Sequence, residues 1–337
     1  MSIELTALLS PVETGVVPLP ASGRGVFLRA EADAALAPLK STLVCEQGFR
    51  PAFNALVAAG CEAHPEVVGT GFDYALVLIS KHKTAALADL ARAYGMLKPG
   101  GLLLAAGRSD AGGQAIAKIV AKTFSEVGQA SKHHCRIFWL RRGPTPPQQL
   151  AEWLAGGDMR HVPAIDAISA PGVFGWDKVD KGSALLAETL DARIGGRVAD
   201  FGAGWGYLSR EILRRCPGVT KFEAVEAEHA ALAAARRNLA APEGVEIAFR
   251  WHDVAAEPGL GLYDWVIANP PFHEGKAGDP DIGRAFIRAA RKALAPKGRL
   301  RLVANRHLPY ETAIAAAFRS QRCVAETAAF KVIEALA

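Results

Sequence analysis

The sequence contains few cysteine residues, and they do not form the patterns that bind metals. Five cysteines are scattered singly through 337 residues, at Cys45, Cys61, Cys135, Cys216 and Cys323. Without a C-x-x-C pair or a Cys/His cluster, the usual zinc and redox motifs are excluded. We therefore expect reduced thiols packed as small apolar groups, and no metal.

Long apolar runs are also missing, although 50% of the residues are hydrophobic. No run approaches the roughly 18 apolar residues that a membrane span requires. The first residues, Met1–Leu5, lack the basic region and apolar run of a secretory signal. These absences predict a soluble, cytoplasmic protein with no membrane partner.

Strong charge of either sign is lacking as well. The formal net charge is +5, and 22% of the residues are charged. A weakly basic chain is compatible with a polyanionic partner such as RNA but does not require one.

The chain contains enough residues and enough punctuation for two domains. A length of 337 residues favours two, and Gly143-Pro144-Thr145-Pro146-Pro147 has the composition of a linker. On both sides of it, strand-like apolar runs alternate with helical segments, a pattern typical of a doubly wound parallel sheet. We predict two tandem α/β domains over residues 1–143 and 170–337, joined by a linker over 144–169.

The two halves resemble each other in sequence. Phe72–Leu78 aligns with Tyr263–Asn269, and Arg136–Phe138 aligns with Lys331–Ile333, in the same order and with similar gaps. This repetition indicates a duplicated domain.

The copies differ at the positions that carry chemistry. The first copy has no glycine-rich loop after its Leu43 strand, and Ile79-Ser80-Lys81 replaces Pro270-Pro271-Phe272. We therefore predict that the first domain is degenerate and serves a structural or RNA-binding role. The residues that we assign to phosphate contacts are Lys81, Lys83, Arg141 and Arg142.

A glycine-rich loop follows the first strand of the second half. Gly202, Gly204 and Gly206 alternate after Asp200, in a spacing that fits neither a dinucleotide fingerprint nor a Walker loop. Carboxylates end this strand and the next two, at Asp200, Glu226 and Asp253. A carboxylate-lined loop suits a ligand with a cationic centre and ribose hydroxyls, and S-adenosylmethionine has both.

The strand over Tyr263–Ala268 ends abruptly in Asn269-Pro270-Pro271-Phe272-His273. Two prolines lack N–H groups and fix φ, so the chain must bend there. At the carboxyl end of a strand in an open sheet, such a bend lies where ligands bind. An ordinary loop start is the alternative interpretation. An Asn side chain, a backbone carbonyl and an aromatic face together suit a planar group with an N–H.

These motifs together resemble class I methyltransferases that act on exocyclic nitrogens. Within that group, the chain is similar to the bacterial ribosomal RNA guanine-N2 methyltransferases of the 16S small-subunit type and their 23S relatives. The similarity extends to Gly172-Val173-Phe174, Asp180–Leu186 and Leu308–Tyr310. In that family a catalytically silent methyltransferase-like domain precedes the active one.

The resemblance implies roles for individual residues. Asn269 and the Pro270 carbonyl would accept the two amine N–H groups of guanine, and Phe272 would stack on the base. His273 would act as a base, a phosphate contact or a structural residue. The residues expected to hold S-adenosylmethionine are Asp200, Gly202, Gly204, Gly206, Glu226, Asp253 and Asn269.

Several alternatives stay open on sequence grounds. The target could be a guanine of 23S rRNA, the N6 amine of adenine, or a protein glutamine amide, because closely similar turns serve all three. In a different class, the protein could be a non-catalytic RNA-binding or ribosome assembly factor. The methylated nucleotide is undetermined, as is the choice between naked RNA and an assembled subunit. We expect a monomer that binds ribosomal RNA or a ribosomal subunit.

Overall fold

A computed structural model describes residues 2–20, 22–271 and 280–337 of the chain. The chain folds into two compact units. The first comprises Met1–Met159 and Ala170–Gly172, and the second comprises Arg160–Ser169 and Val173–Ala337.

The first unit is built on a seven-stranded sheet. Its helices are α1 (Ile3–Glu13), α2 (Arg50–Ala58), α3 (Lys83–Met96), α4 (Gly113–Thr123) and α5 (Gln149–Gly157). Its strands are β1 (Gly25–Leu28), β2 (Leu43–Glu46), β3 (Glu62–His64), β4 (Phe72–Leu78), β5 (Leu97–Arg108), β6 (Gly128–Lys132) and β7 (Cys135–Arg141). The segment predicted to be a linker therefore contains one of these helices, α5.

The second unit has a two-stranded and a seven-stranded sheet. Its strands are β8 (Arg160–Val162), β9 (Ala167–Ser169), β10 (Gly195–Phe201), β11 (Gly218–Glu226), β12 (Glu246–Trp251), β13 (Tyr263–Ala268), β14 (Leu294–Asn305), β15 (Ser320–Glu326) and β16 (Phe330–Leu336). Its helices are α6 (Lys181–Glu188), α7 (Tyr207–Arg215), α8 (His229–Asn238), α9 (Pro280–Ala293) and α10 (Tyr310–Ala317).

Both large sheets have the same strand order. It is β3-β2-β1-β4-β5-β7-β6 in the first unit and β12-β11-β10-β13-β14-β16-β15 in the second. In the second sheet the pairs from β12 to β14 are parallel, and β16 pairs antiparallel with β14 and β15. The prediction of two tandem Rossmann-like domains is confirmed. The order reverses between β10 and β13, so the carboxyl ends of these two strands form the edge where such sheets bind ligands.

The central strands are buried on both faces, as their continuous apolar runs predicted. On β13, Val266 packs in one apolar cluster with Ile287 of α9, whereas Ile267 packs in a second cluster with Ile212 of α7. Helices on both sides thus hold the strand ends in place. In the part of the chain that the structure describes, every helix is too short or too polar to cross a membrane.

Matching details in the two sheets confirm the duplication. Leu28 pairs with Val77 in the first sheet, and Phe201 pairs with Ala268 in the second. A carboxylate at the second position of β4 and of β13 makes the same bond: Asp73 accepts from the Arg24 N–H and Asp264 from the Arg197 N–H, each at 2.8 Å.

This register shows what replaces the second unit's site in the first unit. Arg29 stands where the second unit has Gly202, and it adopts φ +57°. Gln47 stands at the position of Glu226, and Leu78 at that of Asn269. The position of the missing glycine loop therefore differs from our expectation, because it follows β1 rather than the Leu43 strand. β1 and β2 each have four residues, so strand length did not distinguish them; only the pairing of β1 with β4 shows that β1 corresponds to β10.

Candidate active site

The glycine-rich loop leaves β10 and turns directly into α7. Gly202, Gly204 and Gly206 have φ of +82°, +57° and +96°, a region that side chains disfavour. The Gly202 and Ala203 N–H groups donate to the Val225 carbonyl at 2.8 and 3.1 Å. A Cβ at Gly204 would meet nothing within 4 Å, so this glycine faces open space.

Glu226, the last residue of β11, holds this loop from the neighbouring strand. One carboxylate oxygen accepts from the Gly204 N–H and the other from the Glu228 N–H, both at 2.7 Å. Burial raises the pKa of Glu226, although the backbone N–H bonds oppose the shift. Each oxygen retains a lone pair, so the carboxylate can still accept from a hydroxyl group.

Asp200 lies beneath the loop and is fully buried. The Ser209 hydroxyl donates to Oδ2 at 2.7 Å, whereas Oδ1 is buried and no described residue forms a hydrogen bond to it. Burial raises the pKa of Asp200 to about 7, and the Glu226 charge adds to the shift. An unpartnered carboxylate oxygen close to a second carboxylate provides a site of negative potential, which suits a cationic ligand.

Asp253 follows β12 at the same edge of the sheet. It is buried, and its Oδ1 accepts from the Ala255 N–H at 2.9 Å. The preceding His252 N–H donates to the Glu226 carbonyl at 3.0 Å, which places Asp253 near the end of β11. Three of the predicted cofactor carboxylates thus lie at the ends of three adjacent strands.

Asn269 follows β13 and has its side chain held in one orientation. Its Nδ2 donates to Asp180 Oδ1 at 2.9 Å and to Ser183 Oγ at 2.7 Å. Because both acceptors face the NH2 group, they assign the amide orientation. The Oδ1 atom is buried and has no hydrogen-bond partner among the described residues. The described part of the site therefore presents an acceptor that is open to an N–H group of a ligand.

The partners of Asn269 come from the start of α6. Asp180 is its N-cap and accepts from the Ser183 N–H at 2.8 Å. One carboxylate oxygen thus caps a helix and orients Asn269. Ser183 and Ser209 were not predicted as site residues. An Asp ahead of a helical segment is an N-cap signal that could have placed Ser183 at a helix start, but no local signal in the sequence connects it with Asn269, 86 residues later.

The rest of the Asn-Pro-Pro turn is described only in part. Pro270 is buried and Pro271 is exposed. Phe272 and His273, which we assigned to stacking and to RNA contact, lie outside the described residues.

The structure does not bring the four predicted phosphate-binding residues together. Lys81 and Lys83 are exposed after β4, at the carboxyl edge of the first sheet. Arg141 pairs with Leu102 near the opposite edge and donates to the Gly100 carbonyl at 3.0 Å. Arg142 donates to the carbonyls of Gly95 and Leu97, at the end of α3. The lysines are therefore the better-placed pair, because the arginines already bond to backbone.

Lys81 and Lys83 give this edge two exposed positive charges. Burial is the main reason that the pKa of His82, which lies between them, is lowered, and the charges of Lys81 and Arg29 add to the shift.

A doubly wound sheet, a glycine loop, a row of strand-end carboxylates and an Asn-Pro-Pro turn at the switch point define a class I methyltransferase. The family model described as "Methyltransferase small domain" matches residues 164–334. The ribosomal RNA small subunit methyltransferase C of Shewanella sediminis is 32% identical over 268 residues, which cover 77% of this chain and 76% of that protein. Its counterpart from Shewanella amazonensis is 31% identical over 264 residues, with the same coverage of both chains.

The chain belongs to the small-domain methyltransferase family, and within it to the bacterial ribosomal RNA small subunit methyltransferases. The resemblance inferred from the motifs is thus confirmed. Among solved structures, the fold is similar to that of the T. thermophilus 16S rRNA N2 methyltransferase RsmC in complex with AdoMet and guanosine. That similarity has a TM-score of 0.80 at 23% identity and covers 98% of this chain and 91% of that one.

Proposed function

We propose that this protein transfers the methyl group of S-adenosylmethionine to the exocyclic N2 amine of a guanine in 16S rRNA. The observation that carries the proposal is the orientation of Asn269, whose NH2 is bonded twice while its buried Oδ1 has no partner in the part of the chain that the structure describes. The relatives in its family are named for the small ribosomal subunit. The T. thermophilus protein of similar fold is named as a 16S rRNA N2 methyltransferase and was solved with guanosine.

The residues at the switch point fit S-adenosylmethionine. The unpartnered Asp200 oxygen and the nearby Glu226 suit its positive charge, and Glu226 retains acceptor capacity for ribose hydroxyls. Gly204 leaves open space beside these carboxylates. When bound, the cofactor supplies an electrophilic methyl group on a sulfonium. We assign to Asp253, at the end of the third strand, the role of accepting from the adenine amine.

The protein's part in the reaction is positioning rather than base catalysis. Asn269 Oδ1 and the Pro270 carbonyl accept the two amine N–H groups, which directs the nitrogen lone pair towards the methyl group. No strong base is needed, because the amine becomes acidic as it is alkylated. Asp180 and Ser183 prevent the Asn269 amide from turning its NH2 towards the substrate, so the acceptor is preorganised.

We propose that the domains are bounded at residues 143 and 170, and that the protein is a cytoplasmic monomer.

We assign substrate RNA binding to both units. Lys81 and Lys83 are exposed on a positive edge of the first unit. Exposed lysines bind phosphates of nucleic acids independently of the base sequence.

Nucleoside analysis of methylated RNA tests the proposal. Purified protein is incubated with labelled S-adenosylmethionine and either 16S rRNA, 23S rRNA or the small subunit, and the RNA is digested for mass analysis. We expect N2-methylguanosine in 16S rRNA, and at least about 10²-fold less with Asn269→Ala at matched early times. Labelled N6-methyladenosine, label confined to 23S rRNA, or no transfer to any RNA would contradict the proposal.

A further inference from the structure

A turn of unusual character lies between β9 and α6. We call residues 173–178 the Phe174 turn. Val173 is only 3% exposed, yet the next side chain, Phe174, is 73% exposed. A large aromatic ring left in water forgoes roughly 2–3 kcal/mol of burial, so a ring this exposed next to an active site suggests a ligand.

The turn holds the Phe174 backbone in a defined conformation. The Trp176 N–H donates to the Val173 carbonyl at 3.1 Å, which closes the turn around Phe174. Gly175 has φ +62°, and a Cβ there would approach the Lys178 carbonyl oxygen at 3.1 Å. The Arg160 guanidinium lies 5.7 Å from the Trp176 ring centroid. An aromatic side chain on a fixed backbone has only its own torsions to lose when a ligand binds.

The turn is connected to both halves of the site. The Trp205 indole, in the glycine-rich loop, donates to the Gly175 carbonyl at 3.0 Å. Two residues after the turn, Asp180 accepts from Asn269 at 2.9 Å. The Phe174 backbone is thus held between the cofactor loop and the acceptor for the target amine.

We propose that Phe174 stacks on a base of the RNA that flanks the target guanine. This inference rests on the proposed function for the identity of the RNA. Asn269 binds the target base itself. We therefore assign the ring of the Phe174 turn to a base next to the target in the RNA. Lys178 and Lys181 are exposed a few residues after Phe174, as is Asp177. An exposed aromatic near exposed lysines is typical of single-stranded RNA binding, where the aromatic stacks on a base and the cations bind phosphates.

Three variants isolate the ring. Phe174→Ala removes it, Phe174→Tyr keeps an aromatic face, and Leu262→Ala is the matched control, because Leu262 is an exposed apolar residue of the same unit. We measure affinity for 16S rRNA by fluorescence anisotropy over a range of salt, together with S-adenosylmethionine affinity and melting temperature. Phe174→Ala should weaken RNA binding about tenfold at every salt concentration. Its slope against log salt should stay unchanged, because the variant still binds the same phosphates.

Phe174→Tyr and Leu262→Ala should bind RNA as the wild type does, and cofactor affinity should be unchanged in all three variants. Equal RNA affinity of Phe174→Ala and wild type would overturn the stacking assignment, as would an equal loss in Leu262→Ala. Methylation is read separately in the same samples. Phe174→Ala could bind RNA more weakly while the wild type forms no N2-methylguanosine. That result would support stacking and contradict the proposed function.

Discussion

The side chain of Asn269 shows how the NH2 group of an amide can orient the oxygen that accepts a hydrogen bond from a ligand. Its NH2 is bonded to Asp180 and Ser183, so its oxygen is left for the substrate. Deleting one of these supports should therefore affect turnover more than binding.

We predict that Asn269→Ala slows methyl transfer by about 10²–10³-fold, as removal of a preorganised polar group does. Ser183→Ala should slow it less, by about tenfold, because Asp180 still holds the amide. Single-turnover assays with labelled cofactor measure both rates, and Ser320→Ala, at an exposed position, is the control. Wild-type rates in Asn269→Ala would show that the turn is only a loop.

Ionisation of the buried Asp200 carboxyl group destabilises the folded protein, and binding of a cationic ligand should offset that loss of stability. Its folded-state pKa is raised from 3.8 to about 7, so its contribution to stability is full below pH 4 and is lost as the pH rises through 7. We predict that Asp200→Asn, which cannot ionise, is more stable than wild type at pH 8, by a margin that shrinks towards pH 4.

The same substitution removes the charge that attracts a cationic cofactor. Cofactor affinity of Asp200→Asn should therefore fall, and wild-type affinity should weaken as the pH drops from 8 to 6. Thermal melts across pH and calorimetry measure the two effects. A variant that melts below the wild type at pH 8 would contradict the pKa direction.

At the scale of elements, the glycine loop combines backbone strain with open space. An alanine at Gly204 must adopt φ +57° and directs its Cβ into that space. We predict a loss of about 1–2 kcal/mol in stability and a loss of about tenfold or more in S-adenosylmethionine affinity.

Gly244→Ala is the matched control, because Gly244 also has positive φ and open space around its Cβ but lies outside the loop. It should lose similar stability and keep cofactor affinity, as calorimetry and thermal melts can establish. Equal cofactor affinity in the two alanine variants would remove Gly204 from the site.

The whole molecule combines two units of the same fold. The second carries the glycine-rich loop and the Asn-Pro-Pro turn, and the first lacks both. In the first unit an ion pair from Arg29 to Asp89 and another from Arg92 to Glu46 connect β1 and β2 to α3. In the second unit Gly202 stands at the position of Arg29. A Cβ atom at Gly202 would lie 3.8 Å from the Phe286 ring of α9. Salt bridges thus take the place of the cofactor loop, which leaves the first unit free for RNA contact or scaffolding.

We predict that reversing Lys81 and Lys83 to Glu weakens RNA binding and lowers its slope against log salt. The slope should fall by about one unit for each phosphate that the variant no longer binds. Cofactor affinity and melting temperature should not change, since both side chains are exposed. Anisotropy titrations at several salt concentrations measure the slope. An unchanged slope would mean that this positive edge does not contact RNA.

The sequence by itself determined the fold class, the duplication and which strand-end residues meet at the switch point. These features are local: apolar runs specify buried strands, glycines permit positive φ, and Asn-Pro-Pro stops β13 at the switch point. The same local reasoning failed for β1, because only its pairing with β4 shows that it is the counterpart of β10 and that the missing loop belongs after it.

Only the tertiary structure decided which partners complete the site. Ser183 reaches Asn269 across 86 residues of sequence, and Trp205 reaches Gly175 across 30. The separation of Lys81 and Lys83 from Arg141 and Arg142 also depends on strand order, because β7 runs antiparallel to β5 and ends at the opposite edge. Such contacts are set by how distant strands and helices pack, and no pattern within a short window of sequence records them.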